Sequence, residues 1–130
     1  MTGRIMTRLT AGLAILSIAI GCAMAQDAPK AAEESYRLTI SFISVCCGIN
    51  SGAKAKLDEF ISSYEKRKDV KLERETVHWG REGEVDYCFK LAELSSDGQK
   101  AFVLEIRSLL EKAERVHIEE NAPCRNKRKK

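Results

Sequence analysis

The feature that most constrains the fold is the order in which hydrophobic periodicity changes along the chain. Apolar residues at every second position are typical of strands, and apolar residues at i, i+3, i+4 and i+7 are typical of helices. The pattern predicts strands over residues 37–45, 70–79 and 84–91 and a short one near 116–118, and helices over residues 51–67 and from a capping box at 96–99. Within a domain of residues 36–121, this βαββαβ order predicts an α+β ferredoxin-like sandwich, with two helices on one face of a four-stranded antiparallel sheet.

The aromatic residues of the third predicted strand decide between two uses of such a fold. RNA-recognition motifs share the strand and helix order, and they stack bases on outward-facing aromatic rings of that strand. Here Tyr87 and Phe89 share a face with Val85. Turning that face outward would bury Asp86 and Lys90, which costs several kcal/mol. We therefore predict that both rings lie in the core and that the protein binds no nucleic acid.

The N-terminus predicts export. Arg4 and Arg8 precede an uncharged apolar run at residues 9–20, and residues 23–25 supply the small-x-small pattern that signal peptidase requires. The run is short for a membrane span. Residues 1–25 are therefore interpreted as a signal peptide, which implies a periplasmic or secreted protein.

Lipidation is the alternative processing route. Residues 18–22 resemble a bacterial lipobox, with Ala19 in place of the usual Leu and Cys22 as the acylated residue. This route would give a membrane-anchored lipoprotein. Residues 26–35 are interpreted as a flexible linker on either route.

Four cysteines remain after processing, an even number in an oxidising compartment, where thiols tend to pair. Cys88 is predicted on the helix-free face of a central strand, where the residues after the last strand can fold back to meet it. A Cys88–Cys124 disulfide is therefore favoured. Cys46 and Cys47 would then be a vicinal disulfide, a thiol pair or ligands.

One edge of the predicted sheet collects candidate binding residues. The loop after the first strand, the start of the first helix and the turn at residues 79–83 meet there. A helix N-terminus is a favourable place for anions and activates a nearby thiol. The candidate contact residues are Cys46, Cys47, Gly48, Asn50, Ser51, Trp79, Arg81 and Glu82.

The position of the two adjacent cysteines resembles that of the thiols in heavy-metal-associated domains, which share the βαββαβ order and bind soft metals. Those domains separate their two cysteines by two residues, whereas Cys46 and Cys47 are adjacent. The resemblance implies a thiol or soft-metal-binding module, to which His78 and His117 could add ligands.

Charge is distributed unevenly along the chain. The full sequence carries a net charge of +3, but residues 26–124 hold 15 Lys and Arg against 19 Asp and Glu, a net charge of −4. Residues 122–130 form a Cys-containing basic tail, and residues 125–130 within it carry five positive charges. Such a tail predicts at most weak, salt-sensitive contact with an anionic membrane surface.

No catalytic motif is present. The sequence lacks a Cys-x-x-Cys pair, a phosphate loop and a zinc-protease helix, and no Ser/His/Asp arrangement can be identified. No catalytic residue and no cofactor are predicted. The favoured interpretation is a small, exported, non-enzymatic binding module stabilised by a disulfide, with an envelope protein or a small ligand as its partner.

Overall fold

A computed structural model describes residues 34–125. Its elements are β1 (Ser35–Phe42), α1 (Ser51–Lys68), β2 (Arg74–His78), β3 (Val85–Phe89), α2 (Ser96–Leu110) and β4 (Val116–Pro123). The predicted signal peptide, Cys22, most of the predicted linker and residues 126–130 of the basic tail lie outside the described residues. None of the helices within residues 34–125 is long and apolar enough to cross a membrane.

The four strands form one antiparallel sheet in the order β2-β3-β1-β4. Ile40 in the central strand β1 lies opposite Tyr87 of β3 and Ile118 of β4. Apolar side chains of both helices join Leu38, Ile40 and Phe42 in a single core, so both helices cover the same face of the sheet. The predicted ferredoxin-like α+β architecture is confirmed.

Aromatic rings fill the space between the helices and the sheet. The ring of Phe102 on α2 lies 4.9 Å from that of Tyr64 and 5.9 Å from those of Phe60 and Phe89, measured between centroids. Tyr87 and Phe89 are both buried, as the alternation of β3 predicted. Tilted and edge-on contacts of this kind stabilise a core beyond the area that they bury.

Side-chain caps fix where the helices begin. The side-chain oxygen of Asn50 accepts a hydrogen bond from the Ala53 N–H at 3.0 Å, as expected for the residue before α1. At α2 the cap is Ser95, whose hydroxyl accepts from the Gly98 N–H at 3.1 Å. The predicted capping box at residues 96–99 was therefore one residue late, because Ser95 is extended and Ser96 is already helical.

Strand β2 is shorter than its sequence pattern indicated. The prediction covered residues 70–79, but the Leu72 N–H donates to the carboxylate of Glu65 at 2.9 Å. The Glu73 N–H similarly donates to the carboxylate of Glu93 at 3.0 Å. Because side chains take these backbone donors, ladder pairing begins only at Arg74.

Candidate functional site

The loop between β1 and α1 presents both predicted thiols. We call residues 44–50 the thiol loop. Cys46 and Cys47 are exposed and unpaired, and Val45 beside them has an exposed fraction of 81%. Three consecutive exposed side chains of low polarity therefore form the tip of this loop.

The backbone of the thiol loop turns through the left-handed region. Cys47 has φ 65° and Gly48 has φ 92°. A non-glycine residue in this region is disfavoured by about 1–2 kcal/mol, so surrounding contacts must hold Cys47 there. Two side chains from other parts of the chain provide those contacts.

The first is Glu82. Its carboxylate accepts a hydrogen bond from the Ser44 hydroxyl and a long one, 3.4 Å, from the Gly48 N–H. The Ser44 bond, followed by the Gly48 N–H, lowers the pKa of Glu82 below its ordinary value. The carboxylate therefore remains ionised at neutral pH and connects Ser44 to Gly48, on either side of the loop tip.

The turn at residues 79–83 positions Glu82. The Trp79 N–H donates to the Glu84 carbonyl at 3.0 Å, and the Glu82 N–H donates to the Glu84 carboxylate at 2.8 Å. That carboxylate is folded beneath Gly80, where any Cβ would collide with it. Gly80 and Gly83 have φ values of 67° and 88°, which only glycine adopts without strain.

The second support is Arg115, which no sequence pattern had indicated. Its Nη1 lies 3.1 Å from the Gly48 carbonyl and 3.5 Å from the Cys46 carbonyl. The side-chain amide of Asn50 donates to the Glu114 carbonyl nearby, at 3.2 Å. The loop is therefore fixed from the α2–β4 connection as well as from the 79–83 turn, and only the topology could have indicated this.

The remaining predicted contact residues are Ser51, Trp79 and Arg81, and they do not all lie at the thiol loop. Ser51 is exposed at the first position of α1, and Arg81 is exposed on the 79–83 turn with no ion pair to any of residues 34–125. Trp79 does not join the thiol loop. Its indole N–H donates to the carboxylate of Asp86 at 2.7 Å, on the other side of the turn.

Trp79, Asp86 and Arg125 form a cluster that was not predicted. Asp86 is 2% exposed, and its second oxygen accepts from Arg125 Nε at 3.2 Å. The Arg125 guanidinium lies 3.8 Å above the centroid of the Trp79 ring, close enough for a cation–π interaction. Asp86 is therefore buried on the helix-free face, although alternation alone indicated an exposed position.

A disulfide connects this cluster to the sheet. Cys88 of β3 is bonded to Cys124, the pairing favoured from the sequence, with 5.9 Å between Cα atoms. Cys88 has no exposed surface. The bond holds the residue before Arg125 against β3, which accounts for the contact of Arg125 with Asp86.

Metal ligands do not gather around the thiol loop. His78 and His117 are exposed. Among residues 34–125 there is no group of three or more His, Cys, Asp or Glu side chains positioned for a metal ion. Cys46 and Cys47 alone could offer two thiolates, and two ligands leave a soft cation incompletely coordinated.

A groove of about 480 Å³ between α1 and β2 is lined by polar side chains, and these side chains pair with one another. Asp58 accepts a hydrogen bond from Tyr87 at 2.9 Å and pairs with Lys54 and Arg74. Burial raises the pKa of Asp58, but the Lys54 and Tyr87 hydrogen bonds outweigh it and the net pKa is lowered. These groups brace α1 against the sheet.

Comparisons with known proteins add no relative to this description. No protein-family model matches the chain, and neither a curated protein nor a solved structure is significantly similar to it.

Proposed function

We propose that this protein is an exported, non-enzymatic binding module that contacts its partner through the thiol loop and the adjoining 79–83 turn. The supporting observation is that Val45, 81% exposed, stands on a loop whose backbone is held by Glu82 and Arg115. An apolar side chain on a preorganised loop is suited to anchoring an interface, because little conformational entropy is lost on binding.

A protein of the cell envelope is the proposed partner. Small ligands favour concave sites, which bury most of their surface. Val45, Cys46 and Cys47 are instead consecutive and all exposed, so they are suited to entering a pocket on another protein. The exposed charges of Arg81 and Glu82 beside the tip would contribute to orientation at the rim of such an interface.

Site-specific photocrosslinking tests this proposal. The photoreactive residue p-benzoylphenylalanine would replace Val45 in the full chain, expressed in the source cells. The matched control places the same residue at Leu104 on α2, which is 67% exposed and is the other large hydrophobic side chain among residues 34–125 that is strongly exposed. We expect a discrete adduct from position 45 and none from position 104.

Competition separates specific binding from accidental contact. Excess unlabelled wild-type protein should abolish the adduct from position 45, whereas the Val45→Ser protein should compete poorly. Equal crosslinking from positions 45 and 104, or equal competition by the two unlabelled proteins, would contradict an interface at the thiol loop.

A thiol function is the second candidate, and a specific observation favours it. The Cys88–Cys124 bond leaves Cys46 and Cys47 as free, exposed thiols. In a redox step, these two thiols would reduce a partner's disulfide. Their two protons and two electrons would pass to the partner, and one S–S bond would form between Cys46 and Cys47.

Redox titration tests the second candidate. The protein would be equilibrated with mixtures of reduced and oxidised dithiothreitol, and the Cys46 and Cys47 thiols counted by alkylation and mass. A reversible two-electron transition, absent from the Cys46→Ser protein, is expected for a thiol module. Thiols that stay reduced in every mixture in which small dithiols are oxidised would exclude it.

Soft-metal binding by Cys46 and Cys47 is a more specific version of the thiol candidate, and it would need a ligand from the partner.

A further inference from the structure

A cleft of about 280 Å³ lies on the helix-free face of the sheet, away from the thiol loop. It is lined by Thr39 and Ser41 of β1, Asp86 of β3, Glu119 of β4 and residues 123–125. The core side chains of β1 are Leu38, Ile40 and Phe42, so alternation places Thr39 and Ser41 on the face opposite to the helices.

Thr39 is the first indication that this cleft binds a ligand. The residue is 3% exposed, and its hydroxyl oxygen has no hydrogen-bond partner among residues 34–125. A buried hydroxyl without a partner is destabilising, and valine would fill the same space without that cost. The hydroxyl can both donate and accept, so it suits a polar ligand group.

Arg125 supplies a fixed cationic fork. Its Nε pairs with the Asp86 carboxylate, whose side chain is 3% exposed, and its guanidinium stacks on Trp79. Within residues 34–125, the two Nη nitrogens carry no hydrogen bond, and the Arg125 side chain is 48% exposed. A guanidinium held in this way presents parallel N–H donors that match a carboxylate.

Glu119 supplies the opposite charge. It lies directly opposite Thr39 in the β1–β4 register, and its exposed carboxylate forms no ion pair with any other residue in the described range. Thr39 therefore lies in a cleft that offers a cation on Arg125 and a free anion on Glu119. The volume of the cleft is near the lower end of the range for ligand sites, about 300–1,000 Å³, which limits the ligand to a small molecule.

We propose that this cleft binds a small zwitterion of the α-amino acid class. The ligand's carboxylate binds the Nη groups of Arg125, its ammonium group binds Glu119, and the Thr39 hydroxyl bonds to one of the two. None of the residues that line this cleft belongs to the thiol loop or to the 79–83 turn, although Trp79 of that turn stacks on Arg125.

An NMR titration tests the proposal on the ¹⁵N-labelled mature chain with its disulfide intact. The probes are L-alanine, acetate and methylammonium, each added alone. We expect L-alanine to shift the amide signals of Thr39, Glu119 and Arg125 saturably. Acetate carries only the carboxylate and methylammonium only the ammonium group, so each should bind at least about tenfold more weakly than L-alanine.

Two variants and a control locate the binding. Thr39→Val keeps the shape of the side chain and Glu119→Gln keeps its size, and each should weaken L-alanine binding about tenfold. Glu111→Gln, an exposed change at the end of α2, should leave the affinity unchanged. Retained folding would be verified from the dispersion of the amide spectrum.

Three results would overturn the proposal. The first is the absence of any saturable shift with L-alanine, which would mean that the cleft does not recognise the amino-acid zwitterion. The second is acetate binding as tight as that of L-alanine, which would make the cleft a simple anion site. The third is wild-type affinity for L-alanine in both Thr39→Val and Glu119→Gln, which would place the binding elsewhere.

Discussion

The two pairs of cysteines in the described domain have opposite environments. Cys88 is fully buried and bonded to Cys124 across a sequence separation of 36, whereas Cys46 and Cys47 are adjacent, exposed and unpaired. A bond between distant residues restricts the unfolded chain, while a bond between neighbours closes almost no loop. One pair can therefore stabilise the fold, and the other is left available for chemistry or contact.

Removing each pair in turn should give the largest contrast. The double substitution of Cys88 and Cys124 by Ala should lower the free energy of unfolding by about 3–4 kcal/mol, since it removes a long-range crosslink. The same change at Cys46 and Cys47 should alter it by no more than about 0.5 kcal/mol, as is usual for exposed positions. Urea denaturation of the two variants measures the difference, and similar losses in both would show that the two cysteine pairs do not differ in their contribution to stability.

The two glycines of the 79–83 turn should differ by a smaller amount in the stability that is lost when each is replaced by Ala. Gly80→Ala should cost about 2 kcal/mol, because it adds left-handed strain and displaces the Glu84 carboxylate from its hydrogen bond with the Glu82 N–H. Gly83→Ala adds only the strain, about 1 kcal/mol, since no atom lies within 4 Å of the place that the new Cβ would take. Thermal unfolding of both variants checks this, and a larger loss at Gly83 would show that Glu84 does not support the turn.

The substitution Trp79→Phe tests the cluster of Trp79, Asp86 and Arg125, which adjoins the Cys88–Cys124 disulfide. The change removes the indole N–H that bonds to a buried carboxylate, and we expect a loss of about 1–2 kcal/mol. Arg81→Ala, in the same turn but exposed, should change stability by less than about 0.5 kcal/mol. Chemical denaturation of both proteins provides the measurement, and equal losses would count against a stabilising role for the indole N–H.

The smallest expected effect is the response of the thiol loop to acid. The folded-state pKa of Glu82 is below its ordinary value of 4.5, so its contribution is complete above that value and is lost as the pH falls through the folded pKa. The amide signal of Gly48, followed by NMR against pH, should therefore show an inflection below pH 4.5. Glu82→Gln should abolish this inflection. An inflection at or above pH 4.5 would show that the Ser44 and Gly48 hydrogen bonds do not lower the pKa of Glu82.

The fold could be predicted because the local hydrophobic patterns indicate the strands, the helices and their order. Alternation in β1 and β3, and the apolar stripes of the helices, determine which side chains face the core. The favoured Cys88–Cys124 pairing followed from the same alternation once the strand order was assumed. Errors arose at element ends, where competing side-chain bonds decide. Ser95 caps α2 in place of its neighbour, and Glu65 takes the N–H of Leu72.

The candidate site was only partly predictable. The topology correctly indicated that the 79–83 turn lies beside the thiol loop, because β1 and β2 end at the same edge of the sheet. Arg115 could not be identified, since its contacts join residues 67 and 69 positions apart and no local pattern records them. The burial of Asp86 depends on Arg125, whose position follows from the disulfide and not from alternation.

Counting reactive thiols before and after reduction tests the central claim most directly. The protein, isolated under conditions that prevent thiol exchange, would be alkylated, digested and mapped by mass spectrometry. We predict alkylation of Cys46 and Cys47 alone before reduction, and of Cys88 and Cys124 only afterwards. Alkylation of Cys88 or Cys124 before reduction, or a disulfide joining either of them to the thiol loop, would contradict the division between the two pairs.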